Sequence, residues 1–141
     1  QQARDRMAEK DYRGALSSAN AAAERARSAL QAIRSARSLA KGRTETTQAE
    51  IRAALDEVEA IRQEAATAKV PEEVFAEFAP RVADAQAALQ QITETLATDA
   101  LKAQNEAAEL KTRCADLPTA YRQAQAKWLA EHRQARGRRK K

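Results

Sequence analysis

The sequence predicts an all-α protein, with elongated antiparallel helical hairpins forming a three- or four-helix bundle or a coiled-coil-like rod. Three observations lead there. Apolar residues recur alternately three and four apart, as at Leu16, Ala19, Ala23, Ala26, Leu30 and Ile33, which is the seam of a helix that packs on another helix. About a quarter of the 141 residues are alanine, the best helix former. Three Gly, three Pro and 4% aromatics leave little material for sheets and turns.

The elements follow in order. A first helix is expected over about 11–41, stopping at Gly42, a good residue just past a helix end. Arg43 to Thr46 would form a short connection, with Thr44 or Thr46 as N-cap. Thr47 and Glu50 have the spacing of a capping box. A second helix follows over 46–69, with its seam at Ile51, Ala54, Val58, Ile61, Ala65 and Ala68. Val70-Pro71-Glu72-Glu73 reads as a tight turn, with proline and two carboxylates suited to a helix start. The third helix, 72–117, has its seam at Phe78, Val82, Ala85, Leu89, Ile92 and Leu96. Pro80 either kinks this helix or begins it. After Leu96 the phase shifts by four residues to Ala100 and Ala103; either the supercoil unwinds locally or a new helix starts at Thr98-Asp99. Asp116-Leu117-Pro118 is the next break. A last helix over 119–136 carries Tyr121, Ala124, Trp128 and Leu129, and residues 137–141 form a basic tail. Residues 1–136 read as one alanine-rich helical domain with a narrow core, because alanine buries little area.

Charge is unevenly spread. Residues 1–43 hold 10 basic and 4 acidic side chains, residues 44–80 hold 3 and 9, and residues 118–141 hold 8 and 1. A basic first helix and an acidic second one, joined by a short turn, suggest an antiparallel hairpin with complementary faces. Glu9/Arg13, Glu77/Arg81 and Glu109/Arg113 have the favourable i,i+4 order, worth about 0.2–0.5 kcal/mol each.

Lys10-Asp11-Tyr12-Arg13-Gly14-Ala15-Leu16, followed by alanines at 19, 22, 23, 26 and 29, resembles the opening of tetratricopeptide-type helices. It also resembles alanine-rich helical domains of unknown function on bacterial envelope lipoproteins. In those domains an aromatic-Ala-Pro element precedes the tyrosine-bearing helix, and Phe78-Ala79-Pro80 resembles that element, with Asp99-Ala100-Leu101-Lys102-Ala103 downstream. No tyrosine accompanies Asp99, a departure from the pattern. The resemblance implies a scaffold in the bacterial periplasm or at the outer-membrane periphery, not an enzyme. The chain begins Gln1-Gln2 without methionine, which reads as a processed chain or a segment of a longer one. No stretch approaches the ~20 apolar residues of a membrane span.

Catalysis has no foothold in the residues, and no catalytic, cofactor-binding or metal-ligating set is expected. Cys114, the single cysteine, lies in phase with Ala103, Ala107 and Leu110 and reads as a small buried hydrophobe. His132, the sole histidine, has no orienting carboxylate or nucleophile near it in sequence. Glu50, Glu57 and Glu64 share a helix face, but the Glu-x-x-His motif of carboxylate metal bundles is missing. There is no glycine-rich phosphate loop and no nucleophile elbow.

The expected function is therefore structural or adaptor-like, through helix faces and the basic end. The candidate partner-binding residues are Tyr121 and Trp128, an aromatic pair seven apart, and the basic run Arg133, Arg136, Arg138, Arg139, Lys140 and Lys141. That run suits an acidic protein, an anionic membrane surface or nucleic acid, besides self-association through the seams. The rival expectation is a nucleic-acid-binding accessory protein that uses the basic first helix and the tail, although no aromatics interleave the charges for base stacking.

Overall fold

The structure, a computed structural model, describes the backbone of residues 2–138 and the side chains of residues 12–133. The described residues are helical, with no strand among them. Helix α1 runs Gln2–Thr67, a 3₁₀ turn covers Glu72–Phe75, and α2 (Ala79–Thr98), α3 (Ala100–Cys114) and α4 (Leu117–Arg138) follow. The chain divides into two units, Gln1–Leu39 and Ala40–Lys141.

The first correction concerns Gly42. The helices expected over 11–41 and 46–69 are one helix, and the hairpin between them does not form. Gly42 has no positive φ, so it makes no left-handed helix end. The threonines do not cap either: Thr44 Oγ1 donates to the Ala40 carbonyl at 2.8 Å and Thr46 Oγ1 to that of Gly42 at 3.0 Å. These are back-bonds within a continuing helix. A mid-helix glycine costs about 0.5–1 kcal/mol relative to alanine. Opposing that cost, Ala40, Thr44, Gln48 and Ile51 are all buried, and only a continuous helix places residues at that spacing on one face. The Thr47–Glu50 capping box is lost with the helix start it presumed.

The end of α1 is a Schellman turn built without glycine. The Val70 amide donates to the Ala65 carbonyl at 2.9 Å and the Lys69 amide to that of Ala66 at 3.0 Å. Lys69 takes the left-handed conformation, φ 61°, that glycine normally supplies. Val70 and Ala65 are both buried, the hydrophobic contact that accompanies this motif.

The third expected helix, 72–117, is also divided. Glu72–Phe75 makes only a 3₁₀ turn, and α2 starts at Ala79 with Pro80 in its first turn. A helix continuing from 72 would need an amide at Pro80 and would drive its ring into the carbonyl of Ala76. Asp99 ends α2 in an extended conformation, and its Oδ1 accepts from the Lys102 amide at 3.0 Å to open α3. The phase shift after Leu96 is thus a helix break with its own N-cap. The break at Pro118 lies where expected, α4 beginning two residues earlier, at Leu117.

In the second unit the two sequence seams meet. Ile51, Val58, Ile61 and Ala65 of α1 share a core with Ala85, Leu89 and Ile92 of α2, Ala103, Ala107 and Leu110 of α3, and Leu117 and Tyr121 of α4. Fully buried alanines let helix axes come close. The buried Gln48 amide is satisfied across the core: its Nε2 donates to Thr93 Oγ1 at 3.0 Å, and Thr93 Oγ1 donates to the Leu89 carbonyl at 3.0 Å. In the first unit every described side chain, 12–39, is exposed.

Two glycine exchanges test this backbone. A Cβ on Gly42 meets nothing within 4 Å, so Gly42→Ala is expected to stabilise the protein by about 0.5–1 kcal/mol. Lys69→Gly, which relieves the left-handed lysine, should stabilise by a similar amount, about 0.5–1 kcal/mol. Urea midpoints at unchanged slope measure both; a loss of stability in Gly42→Ala would restore the helix stop.

Candidate functional site

Two surfaces stand out, one of them around the candidate residues. The first is the seam of the first unit. Tyr12 is 69% exposed, and Leu16, Leu30, Ile33 and Leu39 are each at least half exposed. Leu16, Leu30 and Ile33, which the sequence assigns to a helix–helix contact, are in contact with water. Arginines flank them: Arg27 is held by Glu24 at 3.0 Å, while Arg25, Arg34 and Arg37 meet no carboxylate among the described residues.

The second surface surrounds the aromatic pair, which the structure separates. Tyr121 is 2% exposed, stacked on Phe75 with ring centroids 4.9 Å apart and tilted against Phe78 at 5.4 Å. Burial pushes its phenol above the ordinary range. Tyr121 is therefore a core residue and not a partner-facing anchor. Phe75, carried on the 3₁₀ turn that the sequence reads as helix, takes up one ring face, and this contact is what seats the start of α4. Trp128 is half-buried. Its ring stacks on His132, centroids 3.8 Å apart, and His132 Nδ1 lies 2.9 Å from the Trp128 carbonyl, so this nitrogen carries the donated proton. Val74, Phe78, Ala124 and Trp128 line an open groove of about 520 Å³, rimmed by Glu77, Lys127 and Glu131. Arg133 is exposed. The side chains of Arg136 and Arg138, and residues Arg139, Lys140 and Lys141 altogether, lie outside the described residues.

The acidic row finds its cations within the second unit. Glu50 pairs with Lys111 of α3, and Glu57 with Arg122 of α4 at 2.9 Å. Arg81, which the sequence pairs with Glu77, reaches across to the α3–α4 corner. Its Nη2 donates to Asp116 Oδ1 at 2.6 Å and to the Arg113 carbonyl at 2.9 Å. One guanidinium thereby caps the end of α3 and ties the corner to α2. The hydrogen bond from Arg81 holds the Asp116 carboxyl below its usual range. Cys114, beneath this corner, is buried, and desolvation raises its thiol pKa, with Arg113 and Arg81 pulling the other way. Among the described residues no group of three His, Cys, Asp or Glu is placed to hold a metal ion.

Comparison with protein-family models, with curated proteins and with solved structures finds no match. The functional reading rests on the surfaces themselves.

The sequence shows the seam of residues 16–33 plainly. What sequence reasoning misses is that the side chains of this seam are exposed, and that Arg25, Arg34 and Arg37 meet no carboxylate among the described residues. The signal available for it was the regularity of the flanks, with arginine recurring beside the seam at 27 and 34.

Two outcomes check the corner. A carboxylate whose folded pKa is depressed adds stability above its unfolded value of about 4 and loses it as pH falls through the folded value. Arg81→Gln should therefore lower the urea midpoint at pH 6, and the gap to the parent should close toward pH 3. The protonated, buried Cys114 should resist a disulfide reagent at pH 7.5 and react fully once urea unfolds the protein; fast labelling of the native chain would show an exposed thiolate.

Proposed function

We propose that the protein is a non-enzymatic structural or adaptor subunit, a helical scaffold that holds protein partners in a larger assembly. The carrying observation is the exposed seam of residues 12–39. Large apolar side chains at heptad spacing seldom stay in water without a role, and contiguous exposed apolar surface marks interaction sites. A helix of this kind draws most of its stability from packing its apolar face, not from propensity alone. The second unit supplies the anchored part, a helical bundle around Ile61, Leu110 and Tyr121, and the first supplies a coiled-coil strand for a partner. The groove beside Trp128 and the basic end that begins at Arg133 offer further contacts for an acidic protein or an anionic surface.

The bacterial periplasm or outer-membrane periphery is the compartment we favour. The support for it is the resemblance of Lys10–Leu16 and Phe78-Ala79-Pro80 to envelope-lipoprotein helices. Among the described residues no helix is long and apolar enough to cross a membrane.

The double variant Leu30→Asp/Ile33→Asp tests this reading. Both residues lie outside the buried core, so the urea transition of the second unit should move by less than about 0.5 kcal/mol. Crosslinking in the native source, followed by mass spectrometry, should lose the main protein neighbours of the parent chain. The same neighbours recovered in full from the double variant would sink the reading.

A further inference from the structure

From the charge pattern of the exposed seam we infer the class of its partner: an acidic amphipathic helix of another protein, docked along residues 12–39 as a two-stranded coiled coil. The inference rests on the adaptor reading above and deepens it.

The heptad frame follows from the seam itself. With Leu16, Ala23 and Leu30 at position a and Ala19, Ala26 and Ile33 at position d, the next a position is Arg37. Position e, on one flank, then holds Arg13, Asn20, Arg27 and Arg34. Position g, on the other, holds Ala15, Ala22, Ala29 and Ala36. One flank is basic and the other is alanine throughout. Residues 12–39 contain five arginines and one glutamate, Glu24. Four heptads span about 42 Å of helix, enough for stable pairing of two strands.

A second copy of the chain fits this surface badly. In an antiparallel pair the e flanks face each other, which sets the Arg27 and Arg34 rows side by side; in a parallel pair Arg37 meets Arg37 within the seam. Like charges so placed oppose association. The chain's own acidic helix is no substitute in a neighbouring copy. There Glu50 and Glu57 are already paired with Lys111 and Arg122, and Ile51, Val58 and Ile61 are buried. Nucleic acid answers the arginines but leaves Leu16, Leu30 and Ile33 in water. An acidic helix with large apolar residues answers both features. Its carboxylates meet Arg27, Arg34 and Arg37, and its bulky side chains fit over the alanine flank.

The test uses the full chain and two synthetic 28-residue peptides of four heptads, each with Ile at a and Leu at d. One carries Glu at e and g, the other Lys. Fluorescence anisotropy measures binding at low and high salt, and sedimentation measures self-association. The acidic peptide should bind one to one, at least about tenfold tighter than the basic one, and should weaken as salt rises. Leu30→Asp/Ile33→Asp should abolish binding, and Arg34→Glu/Arg37→Glu should reverse the preference. Equal binding of both peptides would overturn the acidic class of partner while leaving the adaptor reading in place. A dimeric chain that the acidic peptide does not dissociate would make a second copy the occupant and overturn the inference. So would a DNA duplex that displaces the acidic peptide and still binds Leu30→Asp/Ile33→Asp. If neither peptide binds, this inference falls alone, because the crosslinking comparison decides the adaptor reading independently.

Discussion

Continuity of α1 through Gly42 is the constraint on which the rest of the structure depends. A helix that stopped there would be free to fold back, laying the basic residues of 1–43 against the acidic residues of 44–80. No such stop occurs, and one helix runs through Gly42. It spends Ala40, Thr44, Gln48 and Ile51 on the core of the second unit, while the side chains from Tyr12 to Leu39 are exposed. The contest is uneven: one glycine in a helix interior costs about 1 kcal/mol at most, and four buried positions on one face outweigh it. The threonines nearby support the outcome, since their hydroxyls are satisfied by the helix's own carbonyls.

The second unit is held by small residues where helices meet and by aromatics where the chain turns. Ala85, Ala103 and Ala107 are buried almost completely, so the helices approach at short range and gain dispersion contacts that alanine's own area would not supply. Phe75, Phe78 and Tyr121 fill the wider space left by the 3₁₀ turn and the start of α4. The charged residues of this unit then select neighbours. Lys111, Arg122 and Arg81 each reach to a different helix or corner, on side chains that remain substantially exposed. Pairs of that kind add little energy individually, and their value lies in register. Having used its acidic row internally, the chain leaves an excess of arginine on the first unit, and that excess gives the exposed seam its electrostatic character.

Much of this was legible in the residues. The three-four stepping and the alanine content determined an all-helical chain, and the stepping identified Ile51, Val58, Ile61, Ala85, Leu89 and Ile92 as residues that pack. Cys114 in phase with Ala107 and Leu110 was readable as a buried thiol for the same reason. Periodicity is a local property, and local backbone geometry suffices to express it. The break at Pro118 was legible too, through a missing amide, whereas the phase shift after Leu96 left a local unwinding and a new helix at Thr98-Asp99 both open until the Asp99 cap decided it.

Tertiary structure alone decided which signals to obey. Gly42 and the Thr47–Glu50 spacing are good local stop and start signals, each worth about 1 kcal/mol, and burial across the second unit overrides both. Lys69 ends a helix in a conformation that its side chain disfavours, because the packing of Val70 and Ala65 outweighs the strain. Tyr121 and Trp128 look equivalent in sequence, seven residues apart on one helix. The positions of Phe75 and Phe78 make the first a core residue, and the second lies beside an open groove. Likewise, the sequence by itself determined the apolar stepping of residues 16–33, and only the tertiary structure decided that these side chains are exposed among the described residues. A seam's existence follows from spacing along one helix, whereas its occupancy depends on where every other helix goes.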